Sequence, residues 1–210
     1  VEALSFSLRS IGVKKGDRVA GYISNIPEAI IAMLATSSIG AIWSSTSPDF
    51  GVNGALDRFS QIQPKVLFAT SGYFYNGKYY DSLKNIHEMT QKIKSLVQVV
   101  IINQREENVQ NIRIQNSTIY ENFISKDAEA LIFEQLPFNY PLFILYSSGT
   151  TGLPKSIVHS AGGTLIQHLK ELYFHCDLGR NDNIFYFTTC GWMMWNWLVS
   201  SLAVGSAITL

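Results

Sequence analysis

Three short, almost wholly apolar runs separated by segments long enough for a helix constrain this chain most. They are RVAGYIS at residues 18–24, AIWSS at 41–45 and KVLFAT at 65–70. A strand that shows one face to water alternates apolar and polar residues, so runs of this kind predict strands covered on both faces, as in a parallel sheet. The intervening segments supply the covers. Asn25-Ile26-Pro27 opens a helix with proline near its first turn, and Ile30, Ile31, Leu34 and Ala35 recur at helical spacing before Gly40 stops it. A turn at SPDFG leads into a second amphipathic helix over 52–62. The order is βαβαβ, and the fold class it predicts is α/β, with mostly parallel, layered sheets flanked by helices.

The pattern continues less regularly. A helix ends in AlaLeuSerPheSerLeuArg at 3–9, SGYFYNGKYYD at 71–81 reads as an ordered loop, and a helix over 82–94 precedes the strand LVQVVII. Residues 103–138 are polar and weakly periodic, and little structure is expected there. The buried-strand signal returns in PLFILY at 141–146, followed by a glycine-rich loop, the strand IVHS and a helix beginning near Ala161. Residues 183–210 contain no charged residue. Their length raises the question of a membrane span, but Gly191, Asn196, Ser200, Ser201 and Gly205 interrupt the run, and a buried strand, loop, helix and strand produce the same composition. The absence of an initiator methionine and the uncharged end together predict a piece cut from a longer chain.

Composition narrows the function classes. Sixteen basic residues balance sixteen acidic ones, so no whole-chain field draws in nucleic acid or an anionic membrane, and neither partner is expected. Affinity for an anion must come from a local site. Cys176 and Cys190 fit reduced thiols in a cytoplasmic protein better than a disulfide framework. His159, His168, His175 and Cys176 lack metal-ligand spacing, so no protein-built metal site is expected.

The local anion site lies directly after PLFILY, where residues 146–156 read Tyr-Ser-Ser-Gly-Thr-Thr-Gly-Leu-Pro-Lys-Ser. Consecutive hydroxyl and glycine positions let backbone approach a polyphosphate and offer N–H and O–H donors, while Lys155 adds a point charge. This is not a Walker A loop. Five residues separate Gly149 from Lys155, and Pro154 stands where that motif requires glycine.

Ser-Ser-Gly-Thr-Thr-Gly-x-Pro-Lys after a buried strand resembles the phosphate-binding signature of the adenylate-forming superfamily, which includes acyl-CoA synthetases, luciferases and peptide-synthetase adenylation domains. Within it, the stretches from NIPEAIIAM to YFYNGK, from ILYSSGTTG to HLKE, and TTCGWMMWNW resemble the acetoacetyl-CoA synthetases. The resemblance implies ligation of acetoacetate to CoA at the expense of ATP, with Mg2+, through an acyl-adenylate. It implies that Ser147, Ser148, Gly149, Thr150, Thr151, Gly152 and Lys155 hold the ATP phosphates. Thr151 and Lys155 would be the catalytic pair, with Thr151 beside the metal. It also implies that Trp192, Met193 and Met194 line the acyl pocket, and that Lys78 meets a CoA phosphate. Phe74 stands where relatives carry a basic residue, Asn196 where many carry an aromatic or histidine, and Ser156 where glycine or cysteine is common. On this resemblance residues 1–210 are part of the large N-terminal domain. The adenine-stacking motif, the ribose aspartate, the hinge and the C-terminal domain with its catalytic lysine lie outside the chain.

Overall fold

A computed structural model of the chain describes residues 1–105, 114–128, 130–147 and 152–210. Its centre is a seven-stranded sheet. The strands β1 (Arg18–Tyr22), β2 (Ile42–Thr46), β3 (Val66–Thr70), β6 (Gln98–Ile102), β7 (Ser117–Ile119), β8 (Pro141–Ser147) and β9 (Lys155–Ser160) lie in the order β7-β6-β3-β1-β2-β8-β9. All neighbours run parallel except β8 and β9, which form an antiparallel hairpin.

Side chains alternate between two cores because consecutive strand residues point to opposite faces. Val19, Trp43, Val66, Phe68, Val100 and Phe143 pack on one face with Leu4 and Leu8 of α1 (Glu2–Ser10) and Ile30 and Met33 of α2 (Pro27–Ser38). Ala20, Tyr22, Leu67, Val99 and Ile144 pack on the other with Phe59 of α3 (Gly51–Ile62) and Ile86 and Met89 of α4 (Leu83–Lys92). Both faces are therefore filled, which is why the strands read as continuous apolar runs. Gly21 is needed in β1 because a Cβ there would lie 2.8 Å from the indole of Trp43, which crosses the strand.

Two expectations are corrected. Residues 71–81 are not a loop but an antiparallel hairpin of β4 (Gly72–Tyr75) and β5 (Lys78–Asp81). Its turn is Asn76-Gly77, with φ of 47° and 73°, the left-handed pair that a two-residue hairpin turn requires. Within 103–138, β7 extends the sheet and α5 (Tyr120–Phe123) buries Tyr120 against the first core.

The uncharged final stretch forms β10 (Asn183–Phe185), α7 (Met193–Ser200), a 3-10 turn over Ser201–Val204 and β11 (Ala207–Thr209), with β10 and β11 paired in parallel. No helix among the described residues is long and apolar enough to cross a membrane. Between β9 and this stretch lies α6 (Ala161–Leu169), which continues as a π-helical turn over Lys170–His175.

Candidate functional site

The strand order places a crevice at one edge of the sheet. β1 feeds α2 on one face and β2 feeds α3 on the other, so the two chains leaving these neighbouring strands diverge at their C-terminal ends. Such a divergence is where open α/β sheets bind ligands. A cleft of about 560 Å³ lies there. Ser24 and Asn25 after β1, and Ser47 and Asp49 after β2, form its floor. Tyr73, Phe74, Tyr75 and Tyr80 of the β4–β5 hairpin form one wall, and Phe187 and Thr189 close the other side.

The segment before α7 is stitched to this floor. Ser45 donates from Oγ to the Cys190 carbonyl at 2.7 Å, and Trp43 Nε1 donates to that same Ser45 oxygen at 3.1 Å. Trp195 Nε1 donates to Asn25 Oδ1 at 2.8 Å. These bonds decide which tryptophan is core. Trp195 is fully buried, whereas Trp192 and Met193 are 59% and 48% exposed and Met194 is half-buried. Two of the three acyl-pocket candidates, Trp192 and Met193, are thus free of the interior, and Met194 is partly covered. Trp192 meets Phe50 edge-on at 6.4 Å, and Phe50 in turn lies 4.7 Å beneath the Arg58 guanidinium.

The glycine-rich loop leaves the same edge. β8 runs parallel to β2, so its C-terminal residue Ser147 leaves from the same edge of the sheet as the end of β2, and Lys155 opens β9 as the cross-strand partner of Ser147. Gly152 has φ of 136°, backbone that favours glycine. Ser148, Gly149, Thr150 and Thr151 lie outside the described residues. Tyr146, just before the loop, is locked from both sides. Its hydroxyl donates to the Arg58 carbonyl at 3.2 Å and lies 3.3 Å from the Ser44 hydroxyl, and burial pushes its pKa up to about 12.

Lys78 sits beside the hairpin turn, exposed and paired across it with Tyr75. A second cation reaches this hairpin from the chain beyond β6. The Arg105 guanidinium lies 3.9 Å from the Tyr79 ring centroid and 5.6 Å from that of Phe74. Nothing local in the sequence marks Arg105 as a neighbour of Phe74, because the contact depends on the β3–β6 pairing. Asp49 is a second residue that the motif reading passes over, although it lines the cleft.

Of the histidines, His168 is buried and its Nδ1 lies 2.8 Å from Ser200 Oγ, tying α6 to α7. Burial lowers the pKa of both His168 and His159. Among the described residues no three His, Cys, Asp or Glu side chains gather as a metal site. Both cysteines are free thiols. A cleft of aromatic walls and polar floor beside a loop entered through Ser147 and left through Lys155 can hold an extended ligand carrying an anionic group at one end.

Comparison with known proteins gives consistent matches. A protein-family model described as AMP-binding enzyme matches residues 1–210. The chain is 53% identical over 218 residues to an acetoacetyl-CoA synthetase from Danio rerio and 54% identical over 210 residues to one from Gallus gallus. These alignments cover 100% and 97% of this chain and 32% of each relative. The solved structure of acetoacetyl-CoA synthetase from Streptomyces lividans matches with a TM-score of 0.92 at 46% identity, over 99% of this chain and 31% of that one. The chain thus spans about a third of the length of the relatives it matches.

Proposed function

Because this chain belongs to the AMP-binding enzyme family along residues 1–210, we propose that it is the phosphate-gripping part of a longer ligase that joins acetoacetate to CoA at the expense of ATP. The observation that carries the reading is the β8–β9 hairpin, whose roots Ser147 and Lys155 face each other at the sheet edge that also bears the cleft. The names of the relatives support acetoacetate as the acid. On this reading residues 1–210 are part of the large N-terminal domain, with the adenine, ribose and catalytic-lysine elements supplied by other parts of the protein.

The proposed chemistry has two steps. A carboxylate oxygen of acetoacetate attacks the α-phosphorus of ATP, the bond to the bridging oxygen breaks, and pyrophosphate leaves. The CoA thiol then gives up its proton and attacks the acyl carbon, and the bond to AMP breaks. Ser147, Ser148, Gly149, Thr150, Thr151 and Gly152 supply backbone and hydroxyl donors to the phosphates, and Lys155 adds positive charge where negative charge develops on the departing pyrophosphate. The Thr151 hydroxyl would help hold a magnesium ion brought by the triphosphate, which would supply charge neutralisation of the phosphates. Trp192, Met193 and Met194 bound the acyl group. Lys78 and Arg105 offer cations to the phosphates of CoA at the aromatic hairpin. The setting proposed is cytoplasmic lipid and ketone-body metabolism, in keeping with two free thiols.

Acid-dependent pyrophosphate release by the full-length protein, measured against a panel of short carboxylates, tests the reading. Acetoacetate should give the highest kcat/KM. Release that no acid stimulates would remove the adenylation step, and a different leading acid would replace acetoacetate in the proposal.

A further inference from the structure

We propose that Gln61, on α3, is the positioning residue that sets the register of the glycine-rich hairpin and so aims Lys155; this inference rests on the ATP reading above. Gln61 is not part of the loop, yet its side-chain amide grips the residues on both sides of Lys155. Nε2 donates to the Pro154 carbonyl at 2.8 Å, and the Ser156 hydroxyl donates to Oε1 at 2.9 Å. The other Nε2 hydrogen goes to the Asp57 carbonyl at 2.6 Å, one helical turn back, so the amide is itself held in place. The opposite root of the hairpin is fixed by the same helix, through the Tyr146 hydroxyl on the Arg58 carbonyl at 3.2 Å.

Register matters here because side chains alternate along a strand. Tyr146 and Ser156 are cross-strand partners and share the face towards α3, while Ser147 and Lys155 are partners on the other face. A slip of one residue would carry Lys155 to the α3 face and Ser156 away from it. The loop between the two roots, residues 148–154, contains two glycines and two threonines and cannot dictate register as a tight two-residue turn does. β9 also begins exposed along Lys155, Ser156, Ile157 and Val158, so burial at that end specifies little. The amide clamp supplies the missing constraint. It also gives Ser156 a role, since glycine at that position offers no hydroxyl to Gln61.

The test uses the full-length enzyme with Gln61→Met, which keeps length and helix propensity but makes no hydrogen bonds, together with Ser156→Ala, the double variant, and Lys155→Ala as a control. Three readouts are taken: single-turnover pyrophosphate release, thioester formation from preformed acyl-adenylate, and the melting temperature. Gln61→Met should slow pyrophosphate release about tenfold, the effect of losing two ordinary hydrogen bonds. The double variant should be no slower than Gln61→Met alone, because the two residues act as one unit. Thioester formation should stay at the parental value, and the melting temperature should fall by no more than a few degrees, because the lost bonds lie at the exposed end of α3. Pyrophosphate release within about twofold of the parent for Gln61→Met, or thioester formation falling in step with it, overturns the clamp. A normal rate for Lys155→Ala would overturn the ATP reading together with the clamp, whereas a slow Lys155→Ala beside a normal Gln61→Met would remove the clamp alone.

Discussion

The two ends of the same parallel strands use their polar groups in opposite ways. At the N-terminal ends the two cations nearest the strands, Arg18 and Lys65, are spent on the chain itself. Arg18, which opens β1, donates to the carbonyls of Ile62 at 2.6 Å, Gly16 at 3.1 Å and Gln63 at 3.2 Å. Lys65, before β3, donates to the Gly12 carbonyl at 2.6 Å and to Asp17 at 3.0 Å. At the C-terminal ends polar capacity is left over. Thr46 Oγ1 and Thr189 Oγ1 are buried with no partner among the described residues, as are both amide atoms of Asn196 in α7. Trp192 and Met193 stand in the open nearby. Polar groups buried without partners cost stability; Thr36 Oγ1, just before β2, is a further one, and the larger share at the cleft edge marks that edge as serving something besides holding the sheet together.

On that division, changes at the two ends should separate into activity and stability. The largest effect belongs to Lys155→Ala, which should slow pyrophosphate release about 100- to 1,000-fold, by analogy with the loss of one oxyanion-stabilising donor. The melting curve should not move, because Lys155 is exposed and packs against no core. Arg18→Ala should do the reverse. It leaves three carbonyls at turns without their charged donor and should cost about 2–3 kcal/mol of stability in a urea titration, with the rate per folded molecule unchanged. A loss of adenylation in folded Arg18→Ala would break the comparison.

Met193→Ala is the smallest and sharpest case. It should shift the preference between acetoacetate and a shorter acid by about 1–2 kcal/mol in kcat/KM, the range available to a changed apolar contact. Because Met193 is 48% exposed, stability should stay within about 0.5 kcal/mol. An unchanged acid preference would take Met193 out of the acyl wall.

The central α/β pattern was readable from the chain because β1, β2 and β3 are covered on both faces and their burial leaves continuous apolar runs. The Asn76-Gly77 turn carries the strongest short hairpin signal, yet the segment reads as a loop because the aromatic residues around it do not alternate with polar ones. β7 left no such trace. It is three residues long, exposed or half-buried, and exists because β6 offers it an edge. The glycine-rich loop stands out by its residues alone, while Gln61 was invisible, because an exposed glutamine on an amphipathic helix acquires meaning only when the hairpin packs beside it. The run Trp192-Met193-Met194-Trp195-Asn196-Trp197 could not say which ring is core. Its helix begins at Met193, which turns Trp195 inward to Asn25 and leaves Trp192 outside the helix beside Phe50.

The proposed attack of a carboxylate on the α-phosphate leaves a product that can be trapped. The full-length protein is incubated with acetoacetate, ATP and magnesium, CoA is withheld, and the bound products are identified by mass spectrometry. The expected products are enzyme-bound acetoacetyl-adenylate with pyrophosphate released in equal amount, and conversion to the thioester with release of AMP when CoA is added. Formation of ADP and an acyl phosphate, or no acid-dependent cleavage of ATP at all, would contradict the proposed attack.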